Sequence, residues 1–225
     1  MEIDRVAFVF DLDGTLVDSV YQHVLAWRAA LEAEGIELSV WRIHRKIGMS
    51  GGLFVNMLLR ETGMELDPER TERLRKLHAE AYLRMSVDVR PLPGAKRLLA
   101  TLDDVGIPWA IATSGRMAVA RPALEMLGVD VERAAIVTRD QVARAKPDPD
   151  LFLAAAAKLA VDARSTMVVG DSVWDLLAAR RARALGIGLL SGGYGQDELE
   201  RAGAYRVYAD PADLLAHLDE VGGRL

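Results

Sequence analysis

The sequence predicts an α/β fold: a parallel sheet with helices on both faces and a helical domain inserted near its start. Three observations carry this. Short, wholly apolar runs rich in β-branched residues recur along the chain, and such runs read as strands buried on both faces. Amphipathic stretches of helical length alternate with them, the pattern of parallel βαβ units. The alternation fails once, between Ser19 and about Asp88, where only helical spacing is found.

The first strand run is Val6-Ala7-Phe8-Val9-Phe10. In the interrupted stretch Val24, Leu25, Trp27, Ala30 and Leu31 follow helical spacing. So do Leu53, Met57 and Leu58, then Leu74, Leu77, Ala81 and Met85. Pro91-Leu92-Pro93-Gly94 punctuates the return to the core. Further strands are predicted at residues 109–113, 134–138, 166–170, 186–190 and 206–209. Helices are predicted at 95–105, 117–127, 149–159 and 173–184. The expected division is a Rossmann-like core of residues 1–16 and 91–225 carrying a helical cap of residues 17–90.

Composition narrows the function. The 225 residues carry 28 basic and 33 acidic side chains, a net charge of −5, with no basic block to grip nucleic acid. No cysteine is present, so disulfides and thiolate metal sites are excluded. The longest apolar run, residues 151–157, is far too short to cross a bilayer. Met1-Glu2-Ile3-Asp4-Arg5 lacks the basic start of a signal peptide. A soluble, cytoplasmic protein is expected, a monomer or weak homo-oligomer without nucleic-acid or membrane partners.

Open parallel sheets bind ligands beyond the carboxyl ends of their strands. After the first strand comes Asp11-Leu12-Asp13-Gly14-Thr15, two carboxylates pointing the same way. Buried together they repel unless a cation sits between them, whereas on the surface they are merely an acidic turn. After the second comes Thr113-Ser114-Gly115-Arg116, a hydroxyl and a small turn opening a helix, where free N–H groups suit an anion or an ordinary N-cap. Next is Lys146-Pro147-Asp148-Pro149, a lysine presented at a helix start; alone it would read as a solvated surface residue. The fourth end is Gly170-Asp171-Ser172-Val173-Trp174-Asp175, with Asp171 and Asp175 on one face of an opening turn. Four successive strand ends thus offer carboxylates, a hydroxyl and a lysine. Clustered carboxylates with no cysteine favour a hard cation, Mg²⁺. The lysine and the amides suit a phosphate.

In this order the motifs DLDGT, TS, KP and GDSVWD resemble those of the haloacid dehalogenase-like hydrolase superfamily, over essentially the whole chain. The resemblance implies that Asp11 is a nucleophile forming an aspartyl-phosphate, and that Asp13 is the general acid and then the base. It implies that Thr113 and the Ser114 amide, beside Gly115, hold phosphoryl oxygens. Lys146 would neutralise charge. Mg²⁺ would be held by Asp11, Asp171 and the Asp13 carbonyl, with Asp175 acting through water. The implied activity is hydrolysis of a small phosphorylated metabolite.

Finer features divide the readings. Asp13 argues against dehalogenation, because relatives that dehalogenate lack it. Thr15 is usual in the phosphatases. Asp18-Ser19-Val20-Tyr21-Gln22-His23 with Ala26-Trp27 resembles the cap entrance of β-phosphoglucomutases, so His23 is a candidate substrate contact and a sugar-phosphate mutase is the alternative. A non-catalytic regulatory binding protein is the third reading. The cap loop from Arg45 and Lys46 through Gly48 to Gly52 is the candidate specificity element, or else a plain helix–helix turn. Arg183 stands where the family usually has a left-handed glycine. Ser191-Gly192-Gly193-Tyr194-Gly195 is read as a loop without a catalytic role.

Overall fold

The computed structural model describes residues 6–63 and 67–223. The acidic start, residues 1–5, and the last two positions of the expected core lie outside the described residues, as do residues 64–66 of the expected cap. The core begins with β1 (Ala7–Phe10), buried at every position. Next are β2 (Val17–Asp18) and four helices: α1 (Val20–Ala33), α2 (Val40–His44), α3 (Gly51–Glu61) and α4 (Pro68–Met85). Then come β3 (Arg90–Pro91), α5 (Ala95–Asp104), β4 (Trp109–Ala112), α6 (Met117–Leu127), β5 (Ile136–Val137) and α7 (Asp150–Lys158). The chain closes with β6 (Thr166–Gly170), α8 (Val173–Ala182), β7 (Leu185–Leu189), α9 (Gln196–Ala202), β8 (Ala204–Tyr208) and α10 (Pro211–Ala216).

Six of the strands form one parallel sheet in the order β5-β4-β1-β6-β7-β8. Successive side chains of a strand face opposite ways. Phe8 and Phe10 therefore pack with Leu98 of α5, Leu124 of α6 and Leu214 of α10. Val9 packs on the other face with Phe152 of α7 and Ala178 of α8. This is the expected layered core, and β1 lies at its centre because it is apolar on both faces.

The departure from alternation is a helical insertion. The chain leaves and returns through a two-stranded antiparallel ribbon, with Val17 opposite Pro91 and Asp18 opposite Arg90. Unlike the equally short β5, neither lies in an apolar run of strand length, so the sequence pattern misses both. Trp27, Leu31, Ile43, Phe54, Leu58 and Leu74 bury one another in a separate cap cluster. Leu25, counted in the α1 stripe, is instead exposed. Helices α9 and α10 are too short to be read from the pattern. Asp67 caps α4, accepting a hydrogen bond from the Glu69 amide.

Helix α8 ends on Arg183 with φ +63° and ψ +22°, so the left-handed turn persists without the glycine. A side chain there crowds the following carbonyl at a cost of about 1 kcal/mol. Arg183→Gly is expected to raise unfolding free energy by about 1 kcal/mol in urea titration. An unchanged or lower midpoint would show that the turn carries no strain.

Candidate active site

The carboxyl ends of β1, β4 and β6 meet where the strand order reverses, with the loop after β5 beside them. Asp11 leaves β1 with its amide bonded to the Val169 carbonyl at 2.9 Å. Lys146, wholly buried, donates a hydrogen bond to Asp11 Oδ1 and stands 2.7 Å from Asp175 Oδ1. The surface reading of this lysine is thus replaced by an internal ion pair. Asp175 Oδ2 accepts from the Ser172 amide at 3.1 Å and from its hydroxyl, so the same carboxylate caps α8 and faces the site. Asp171 Oδ1 accepts from Thr15 Oγ1 at 2.9 Å.

Carboxylate oxygens of Asp11, Asp171 and Asp175 all lie within 4.8 Å of one another. One ammonium cannot balance three buried carboxylates. Burial pushes the Asp11 carboxyl up to about 7 against the opposing Lys146, with Asp175 and Asp13 adding to the rise. Burial, then Asp175 and Asp11, raise Asp171 well above the ordinary carboxylate range. Lys146 is held above its ordinary value because Asp11 and Asp175 outweigh the penalty of burial. A Cβ on Gly192 would fall 1.9 Å from Asp171 Oδ2, and one on Gly14 2.4 Å from it, so only glycine fits at either position. The excess negative charge and all-oxygen donor set fit a hard cation. The triad is placed to hold a metal ion.

The Asp13 carboxyl is not in that cluster. It accepts from Ser19 Oγ at 2.6 Å and lies 3.1 Å from His23 Nε2. Burial raises its pKa, but His23 and the hydrogen bonds from His23 and Ser19 outweigh it, so Asp13 lies below its ordinary value. Only its carbonyl is left as the metal donor that the family resemblance implies. His23 stacks on Tyr82, ring centroids 3.8 Å apart, and its Nδ1 lies 3.1 Å from His78 Nε2. Burial first, and His23 next, hold His78 well below its ordinary pKa.

Thr113 is buried, and its Oγ1 accepts from the Gly115 amide at 3.0 Å. That amide is therefore already engaged. Ser114 Oγ donates to the Gly48 carbonyl at 2.9 Å, which ties the cap loop to the core and leaves the Ser114 amide for an anion. Asp11, Asp13, Thr113, Ser114, Gly115 and His23 line one cavity of about 380 Å³ between cap and core, together with Lys46 and Gly48. Lys46 is buried and paired with Glu61 at 2.7 Å. Arg45 is not brought to this cavity. Its guanidinium pairs with Glu198 and lies 4.2 Å over the Tyr194 ring. Its carbonyl accepts from Tyr194 Oη at 3.0 Å and from Trp174 Nε1 at 3.3 Å. The expected basic specificity pair is thus divided, with Arg45 holding cap to core and Lys46 at the cavity wall.

Sequence reasoning missed the docking role of the loop after β7. His44 Nε2 lies 2.8 Å from the Gly192 carbonyl, and Ser191 Oγ donates to the Gly14 carbonyl at 2.6 Å. It also missed His78, Arg75 and Arg139 on the cavity wall, which lie outside any motif.

A carboxylate pinned by a buried lysine, three clustered carboxylates that could hold a cation, and a helix turn beside them fit a phosphoryl-transfer enzyme on an α/β core. The model of the haloacid dehalogenase-like hydrolases matches residues 6–183, and the chain belongs to that family, as a phosphatase. A hydrolase from Pseudomonas syringae shares 58% identity and a TM-score of 0.95, covering 96% of this chain and 99% of that one. A phosphoglycolate phosphatase of Neisseria gonorrhoeae is 34% identical over 83% of this chain and 80% of its own length. An N-acetylmuramic acid 6-phosphate phosphatase of Pseudomonas aeruginosa is 30% identical over 78% of this chain and 77% of its own. No helix among the described residues is long and apolar enough to cross a membrane.

Proposed function

We propose that this phosphatase hydrolyses a small phosphorylated metabolite with Mg²⁺ through an aspartyl-phosphate on Asp11. The observation that carries the reading is Lys146 bound to Asp11 inside the acidic triad. Asp11, Asp171 and the Asp13 carbonyl would hold the ion, with Asp175 behind them. When bound, Mg²⁺ supplies charge neutralisation at the transferring phosphoryl group. Lys146 orients Asp11 and neutralises part of the charge it meets. The Thr113 hydroxyl and Ser114 amide receive phosphoryl oxygens. Asp13, an ionised acceptor in this state, is ready to act as base. It acts as acid after taking up a proton as the anionic substrate approaches, since a neighbouring negative charge raises its pKa. The division into a core of 1–16 and 91–225 and a cap of 17–90 belongs to the same proposal, with the cap loop shielding the site from water. So does a cytoplasmic enzyme working as monomer or weak homo-oligomer.

Purified protein assayed against a panel of phosphate esters should release phosphate with Mg²⁺ and stop in EDTA. Full activity in EDTA would overturn the metal role. Isomerisation of a hexose phosphate without phosphate release would replace hydrolysis by the mutase reading.

The titration of Asp11 yields a second test. Between its ordinary 3.8 and about 7, the folded metal-free protein keeps a proton that the unfolded chain has lost. The folded state then binds more protons, so this group's contribution to stability falls as pH rises through that window. A bound cation requires the ionised form and removes the penalty. Mg²⁺ is therefore expected to raise Tm more at about pH 8 than at about pH 5.5. An equal shift at both values would contradict a cation seated on these carboxylates.

A further inference from the structure

The cavity that begins at Asp11 and Thr113 is also lined by Arg75, Arg116 and Arg139. The three reach it from different places. Arg75 stands on α4 of the cap, Arg116 precedes α6, and Arg139 follows β5. The Arg139 amide is bonded to the Gly115 carbonyl at 3.0 Å, which fixes it beside the expected phosphoryl turn. Its guanidinium donates to the Val142 and Ala143 carbonyls and has no carboxylate partner among the described residues.

The nearby carboxylates are Glu72 and Asp140. Glu72 receives Arg75 at 3.0 Å and Arg116 only at 3.9 Å. Asp140 lies 3.8 Å from Arg116 and already accepts from the Met117 amide at 3.0 Å. Three guanidinium groups against two shared carboxylates leave one positive charge over. Burial, followed by Arg116 and Arg139, lowers the Arg75 pKa, which agrees with an uncompensated cluster. The same cavity is also lined by Trp27, Phe54, Ile47 and Met49.

We infer that Arg75, Arg116 and Arg139 form a subsite for a second anionic group on the substrate, a carboxylate carried in addition to the phosphate. This rests on the phosphatase reading above and names its substrate class. A monoanion matches the surplus of one charge. Guanidinium groups also present paired donors that fit a carboxylate better than a lysine would. Because Arg75 comes from the cap and the other two from the core, the carboxylate bridges them. A substrate lacking it closes the site less well.

The test compares 3-phosphoglycerate with glycerol 3-phosphate, which differ at one terminal group, a carboxylate in the first and a hydroxymethyl in the second. The wild type should favour the carboxylate ester in kcat/KM. Arg75→Gln and Arg139→Gln should each lower that preference by about 10- to 100-fold, the worth of one or two charged hydrogen bonds. Two variants on different elements are needed, since Arg139 also ties its own loop. Melting curves confirm that each is folded. An unchanged preference in both folded variants would overturn the subsite and leave the arginines as a cap–core ion network. Stimulation of glycerol 3-phosphate hydrolysis by free acetate in the wild type, lost in both variants, would support the same subsite. Absence of phosphate release from any ester by the wild type would instead strike at the phosphatase reading itself.

Discussion

Asp11→Asn is expected to release no phosphate from any ester, while Asp13→Asn keeps a residual rate about 10²–10⁴-fold below wild type. The two residues sit on one short turn, yet their surroundings give them different tasks. Asp11 is buried, pinned by Lys146, and faces Asp171 and Asp175. An amide at that position cannot attack phosphorus. It also removes one of the three mutually repelling charges, so Asp11→Asn should melt no lower than wild type in metal-free buffer. Loss of activity with retained stability separates a chemical defect from a folding one. The Asp13 carboxyl faces Ser19 and His23, outside the triad. Its loss removes proton transfer and leaves the nucleophile in place. Phosphate release by Asp11→Asn at a rate near wild type would end the assignment.

Lys146→Met carries the largest expected effect on stability. Its ammonium meets Asp11 and Asp175 in a region closed to water. Removing one partner of a buried pair leaves uncompensated charge, which costs about 3–5 kcal/mol. Here three clustered carboxylates lose the ammonium that opposes them, so the upper part of that range is expected. Part of the loss should return as the pH falls and the carboxyls protonate, and part when Mg²⁺ is added. Urea titrations across pH, with and without Mg²⁺, measure all of this. Destabilisation below about 1 kcal/mol would mean that the lysine is not the counter-ion of the triad. Activity should fall with it, since Asp11 loses its orientation and the transferring group loses a positive neighbour.

The candidate site was legible where its residues are placed locally. Asp11, Thr113 and Asp171 each follow directly on the last residue of β1, β4 or β6, and parallel strands carry those ends to one edge. These three could therefore be picked out one strand at a time, whereas Lys146, well past the end of β5, stood out only in combination with the others. Contacts between cap and core leave no such trace. Ser114 with Gly48 and His44 with Gly192 are joined only by tertiary packing. Arg45 shows the limit most clearly. A basic pair beside glycines suggests an anion site, but Glu198, far along the chain, takes the guanidinium. Lys46 likewise is partnered by Glu61 across the cap. The ribbon of Val17–Asp18 with Arg90–Pro91 was illegible for another reason: a charged residue in each strand breaks the apolar run that revealed the equally short β5.

The central claim is a covalent phosphoenzyme on Asp11, and rapid-quench mass spectrometry of Asp13→Asn tests it most directly. A substrate with a good leaving group needs little help from an acid, so phosphorylation should proceed. Hydrolysis would lack its base, and the aspartyl-phosphate should accumulate. Quenching at low pH preserves it. The account predicts one added phosphate on the peptide containing Asp11 in Asp13→Asn, and none when Asp11 is also replaced by asparagine. A phosphate that persists in the double variant, or that maps to another peptide, would contradict it.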